Sequence, residues 1–140
     1  MRATRSVART AALSQDLGPL LEEAQAGIEQ VNGAMAHALD FDDTHDRAGM
    51  IHPGAPVLAS ALAAAELAGS TTGTEFVMAV ALGLDVACRV ALAAPEDRGW
   101  HRTAAMGVFG ATAAASRLLR LDAARVEHAL GIALSQAAGT

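Results

Sequence analysis

Residues 103–119 read TAAMGVFGATAAASRLL, and this stretch decides the fold class. Apolar and polar residues do not alternate at period two through it, so it does not suit a half-buried strand. Ala, Leu and Met favour helix. Gly107, Gly110, Ala111, Ala113, Ala114 and Ala115 keep its surface thin enough for another helix backbone to approach closely. A helix over Thr103–Leu119, tightly packed on its neighbours, is the expectation.

The same composition extends in both directions. Asp122 can cap a last helix running to about Ala138. Upstream, Thr72 or Thr74 can cap a helix running to about Ala93, ended by Pro95 and the polar run that follows it. Residues Ala55–Leu67 form a helix that is apolar on every face except at Ser60 and Glu66, with Gly69 placed to end it. A first helix is expected from Gly18 or Pro19 through Leu39, with Asn32-Gly33 as a point where it can break. The chain is therefore expected to be all-α, about five helices with close Ala/Gly packing.

At 140 residues the chain can bury one modest core. Its 52% hydrophobic and 18% charged residues, with mean hydropathy +0.29, make it more apolar than an average soluble domain. That excess suits helices buried all round and an interface with another subunit or with the rest of a longer fold. The most apolar run, Phe76–Leu84, meets Asp85 and then Arg89 before it reaches the roughly 20 residues that a bilayer needs, so no membrane association is expected. A net charge of -5 and the lack of a basic stripe argue against nucleic acid. All ten basic residues are Arg, so neither a Schiff-base lysine nor a Walker-type phosphate lysine is present. A single cysteine, Cys88, fits a reducing, cytoplasmic compartment. Arg2, Arg5 and Arg9, with no acid before Asp16, overlap in composition with a mitochondrial presequence, but the Ala and Arg bias of the whole chain yields the same start.

Between the first two helices lies a loop dense in proton carriers: His37, Asp40, Asp42, Asp43, His45, Asp46 and His52, with Thr44 and Arg47 among them. Three readings compete. As a metal site the loop lacks HExxH, a paired Glu-x-x-His and a second ligand set downstream. As a calcium loop from Asp40 it has His45 at the sixth position and Ile51 at the twelfth, where Gly and Glu are needed. As a structural segment its aspartates cap helices or Asx-turns. As an acid–base site, a histidine moves a proton while a carboxylate fixes its tautomer or carries a second proton. Burial between two apolar helices would tune such carboxylates.

The blocks VNGAMAHALDFDDTH (31–45), IHPGAPVLASALAAAE (51–66), LGLDVACRVALA (82–93), GWHRTAAMGVFGATAAASRLLRLD (99–122) and ALGIALSQAAGT (129–140) resemble, in the same order, the MmgE/PrpD family. The resemblance covers about Gln30 to Thr140. It implies a divergent N-terminal segment over 1–29 and, over 30–140, part of the family's large all-helical domain, truncated before the second domain. It implies a metal-free and cofactor-free lyase, usually a homodimer, acting on small di- or tricarboxylates. Dehydration of 2-methylcitrate, decarboxylation of cis-aconitate and epimerisation of iminodisuccinate are the activities it brings. It implies catalytic roles for Asp40, His52 and His101 and a substrate-binding role for Thr44. His52 is the leading acid–base group, Asp40 is its partner or the second acid, and His101 positions substrate alongside Thr44.

Two departures accompany the resemblance. Members often read His-Pro-Thr where this chain has His101-Arg102-Thr103, so Arg102 can itself meet a carboxylate. The later family block that brings lysine is absent, which leaves Arg47, Arg98 and Arg102 as local cations and docking to a missing C-terminal portion as an expectation. The alternatives are a catalytically silent helical dimerisation module and a metal-dependent hydrolase built on His37, Asp40 and His45.

Overall fold

The computed structural model describes residues 31–48, 50–94 and 99–138. Its regular elements are a helical segment over residues 31–37 (α1) and the helices α2 (Gly54–Ala68), α3 (Gly73–Ala93), α4 (Arg102–Leu118) and α5 (Ala123–Gln136). A single 3-10 turn, Asp46–Ala48, lies in the loop between α1 and α2. Among the described residues there is no strand, only an isolated antiparallel bridge between His45 and Ile51. The all-α expectation holds.

Helix ends follow local chemistry. Thr72 and Glu75 form a capping box at the start of α3, and the Asp122 side chain accepts from Arg125 N at the start of α5. Gly69, at φ 67, closes α2 in the left-handed conformation that lacks a Cβ penalty. Asn32-Gly33, where the sequence allows a break, lies within α1, which runs to His37 among the described residues. One helical Gly costs only about 1 kcal/mol against Ala, and a Cβ at Gly33 would make an ordinary contact with the Ala59 Cβ at 3.9 Å. The earlier part of the expected first helix lies outside the described residues. Three residues past the end of α1, Asp40 turns the chain at φ 53, a conformation Asp tolerates better than most residues.

The core is built from small side chains. Val57, Ala61, Ala64, Ala79, Ala114 and Leu118 are buried together from α2, α3 and α4. The tightest approach is between α3 and α4: a Cβ on Gly83 would lie 2.7 Å from Gly110 O, and one on Gly110 would lie 2.5 Å from Gly83 O. Gly107 makes the same kind of room for Pro56 on α2, where a Cβ would lie 2.7 Å from Pro56 Cγ. Backbones this close exchange many weak dispersion contacts, which replace the large side chains this chain lacks.

α3 is long and apolar enough to cross a membrane by length and composition alone, although Asp85 and Arg89 interrupt its most apolar run. The two charges pair with each other at 2.6 Å, one turn apart. The Gly83, Ala79, Ala87 and Ala91 positions of the helix are buried, which gives it a packing role in the bundle. Arg102 reaches back to its C-terminus, donating to Ala94 O and Ala91 O at 2.7 Å each. Two carbonyls left open by the helix end thus take its guanidinium.

Candidate active site

The acidic loop is anchored at both ends. Ile51, 1% exposed, packs with Ala91, Cys88 and Met106, and His45 N donates to Ile51 O at 3.0 Å across the bridge. Pro53, next but one, is buried, so His52 is held between two fixed neighbours. Its backbone N–H donates to Thr103 Oγ1 at 3.0 Å, which ties the loop to the first turn of α4.

The ring of His52 is oriented by the acidic segment. Its Nδ1 lies 2.8 Å from the Asp43 carbonyl oxygen and 3.4 Å from Thr44 Oγ1. A carbonyl can only accept, so Nδ1 carries the hydrogen, and Nε2 is the atom at which this imidazole takes up or releases a proton. Asp43 has a second task. Its carboxylate accepts the Gly54 N–H at 2.9 and 3.1 Å, supplying from across the loop the N-terminal cap that Pro53 cannot give α2. The DFDD and HPGAP segments are thus one hydrogen-bonded unit.

A second imidazole lies beside the first. His37 Nδ1 bonds Asp42 Oδ2 at 2.7 Å, and the Asp42 side chain is only 5% exposed. The ring centroids of His37 and His52 are 6.1 Å apart, with an interplanar angle of 43°. The sequence names His37, Asp42 and Asp43 only among the proton carriers of the loop, and His37 also in the hydrolase alternative, whereas nothing in it marks Thr103 as a site residue. The adjacency of two aspartates to two histidines in one loop was the available signal.

The other expected residues are placed as follows. Asp40 is exposed, and among the described residues no hydrogen bond joins it to His52; the partner of His52 is Asp43, through its main chain. Burial of the acidic loop is likewise corrected for Asp40 and Asp43, which are exposed beyond the end of α1. Thr44 sits against His52 as stated. His101 is the N-cap of α4, its Nδ1 accepting from Ala104 N at 3.3 Å, two residues before the Thr103 that holds His52. One ligand atom each from His37, Asp40 and Asp42 falls within 4.8 Å of the others. His45 is outside that group, so the hydrolase constellation of His37, Asp40 and His45 is not assembled. His37 and Asp42 already satisfy each other, and no metal ligand is assigned.

The field of the site reaches α3. Burial, with the Asp43 and Asp85 carboxylates adding to it, pushes the Cys88 thiol above its ordinary value, so at neutral pH Cys88 stays a protonated thiol and not a nucleophile.

The profile of the MmgE/PrpD N-terminal domain matches residues 24–140. This chain belongs to the MmgE/PrpD family. A cis-aconitate decarboxylase-like protein from Aspergillus oryzae is 34% identical over 78% of this chain and 24% of its own length. The human cis-aconitate decarboxylase is 34% identical over 76% of this chain and 23% of its own length. That of Aspergillus terreus is 31% identical over 94% of this chain and 27% of its own length. The chain thus spans about a quarter of the length of these curated relatives. No solved structure matches it.

Proposed function

We propose that this MmgE/PrpD chain forms the helical, proton-handling part of a lyase acting on a small di- or tricarboxylate, with cis-aconitate the first candidate. The observation that carries the reading is the bond from His52 Nδ1 to the Asp43 carbonyl at 2.8 Å, which leaves Nε2 for chemistry. The names of the relatives supply the substrate class. In decarboxylation of an unsaturated tricarboxylate, carbon dioxide leaves a saturated carbon and the double bond shifts. A proton must then join the carbon beside another carboxylate. His52 delivers it from Nε2. In dehydration of a 2-methylcitrate-type substrate the same nitrogen would instead remove the proton next to a carboxylate.

Thr44, 3.4 Å from the His52 ring, is cast as a substrate-binding hydroxyl. Asp40 is cast as an exposed second acid and His101 as a group at the mouth of α4. No cofactor enters this reading. The bound carboxylates need cationic partners, and with Arg102 committed to α3 we assign these to the portion of the protein beyond this chain or to a second subunit, working in the cytoplasm.

The test incubates the full-length protein with cis-aconitate, 2-methylcitrate and citrate separately and follows substrate and product by proton NMR. Conversion of one of them supports the reading. Conversion of none by folded full-length protein favours a catalytically silent helical module.

A further inference from the structure

The site contains a pair of oriented imidazoles, and the reading above uses only one. Consecutive residues hold them: Asp42, through its buried carboxylate, takes Nδ1–H of His37 at 2.7 Å, and Asp43, through its carbonyl, takes Nδ1–H of His52 at 2.8 Å. Both rings are fixed at the same nitrogen, so both present Nε2 to a ligand, and among the described residues neither Nε2 is hydrogen-bonded. A carboxylate that orients an imidazole at Nδ1 and leaves Nε2 to the substrate is the arrangement by which acid–base histidines are held elsewhere. The Asp42 side chain is 5% exposed and that of His37 40%, so the ring is held from the buried side and stays open to a ligand.

Resting on the proposed lyase reading, we infer that His37, oriented by Asp42, is a further catalytic acid–base residue of this site, meeting the substrate carboxylate next to the carbon that His52 protonates. When carbon dioxide leaves, the electron pair of the broken C–C bond moves through the shifting double bond onto that carboxylate. The proton on His37 Nε2 passes to its oxygen. His52 then gives its own proton to carbon, the electron pair returns, and the oxygen-bound proton goes back to His37. One proton, from His52, is consumed per turnover and is replaced by solvent. The charged and titratable groups around His37 in this scheme are Asp42, Asp40 and His52, with the Asp43 carboxylate occupied by Gly54.

The test uses full-length protein and the variants His37→Gln, Asp42→Asn and His52→Gln, each checked for folding by circular dichroism. With cis-aconitate, His37→Gln is expected to lower kcat on the order of 100-fold while KM stays within about threefold. Asp42→Asn, whose amide oxygen still accepts from Nδ1–H, falls between His37→Gln and wild type. A folded His37→Gln protein with unchanged kcat overturns the inference. His52→Gln at wild-type rate would overturn the separate reading of His52. If no substrate is turned over, tricarballylate is added to protein labelled with nitrogen-15 in its histidines. Shifts at both His37 and His52 support the inference, a shift at His52 alone overturns it, and a shift at neither overturns it together with the proposed function.

Discussion

The carboxylate of Asp43 sits on the backbone N–H of Gly54, at 2.9 and 3.1 Å, and a Cβ on Gly54 would collide with it. Gly54→Ala is therefore expected to displace Asp43, uncapping α2 at a cost of about 1 kcal/mol and loosening the carbonyl that orients His52. A thermal melt should show a midpoint lowered by several degrees, and turnover by the full-length protein should fall with it. An unchanged midpoint and rate would show that the two segments are not mechanically joined.

Gly83 and Gly110 bring α3 and α4 together backbone to backbone. An alanine at Gly110 would meet Gly83 O, the Ala87 Cβ and a Val57 methyl within 3.0 Å, and none of these is the end of a flexible side chain. Gly110→Ala is expected to cost about 1–3 kcal/mol and Gly110→Val more. Urea denaturation at constant m-value measures this. The same Gly→Ala change at Gly73, which has open space around it, serves as the control.

Arg102 is a helix clamp. Arg102→Ala removes two charge-assisted bonds to the end of α3 and is expected to destabilise by roughly 1.5–3 kcal/mol with little change in KM. A KM raised by an order of magnitude at unchanged stability would return Arg102 to the substrate.

Glu75 gives the chain a pH signature. Hydrogen bonds from Thr72, main chain first and side chain second, with Arg120 assisting, hold its carboxyl below the ordinary 4.5. The folded state thus favours the charged form, so this contribution is fully present above the ordinary value and is lost as pH falls through the lower folded value. The stability gap between wild type and Glu75→Ala should be largest near neutral pH and shrink in acid. Urea midpoints from pH 7 to pH 3 follow it; a gap that widens toward acid would contradict the sign.

The helices were legible because Gly69, Thr72 and Asp122 are local signals whose effect does not depend on what the helix packs against. The small-residue seam of α3 and α4 was legible from Gly110 and its neighbours for the same reason. Whether Asn32-Gly33 breaks the first helix was left open by the sequence, because a lone Gly weakens a helix by only about 1 kcal/mol and packing decides whether it continues. In the site, His52 and Thr44 emerged from the motif resemblance. Asp43 did not, because it acts on His52 through a carbonyl, which every residue possesses. The His37–Asp42 pair stayed hidden because it depends on where the chain turns after Asp40. The hold of Arg102 on α3 was not legible because Ala91 and Ala94 meet it with main-chain oxygen, which no sequence pattern marks.

The central claim is that His52 moves the proton in a reaction of a small polycarboxylate. The most direct measurement compares turnover of cis-aconitate by full-length wild-type protein and by His52→Gln, with folding verified by circular dichroism. A fall in kcat of about 100- to 10,000-fold is expected, with helical content unchanged. A folded His52→Gln protein that turns over substrate at the wild-type rate would contradict it.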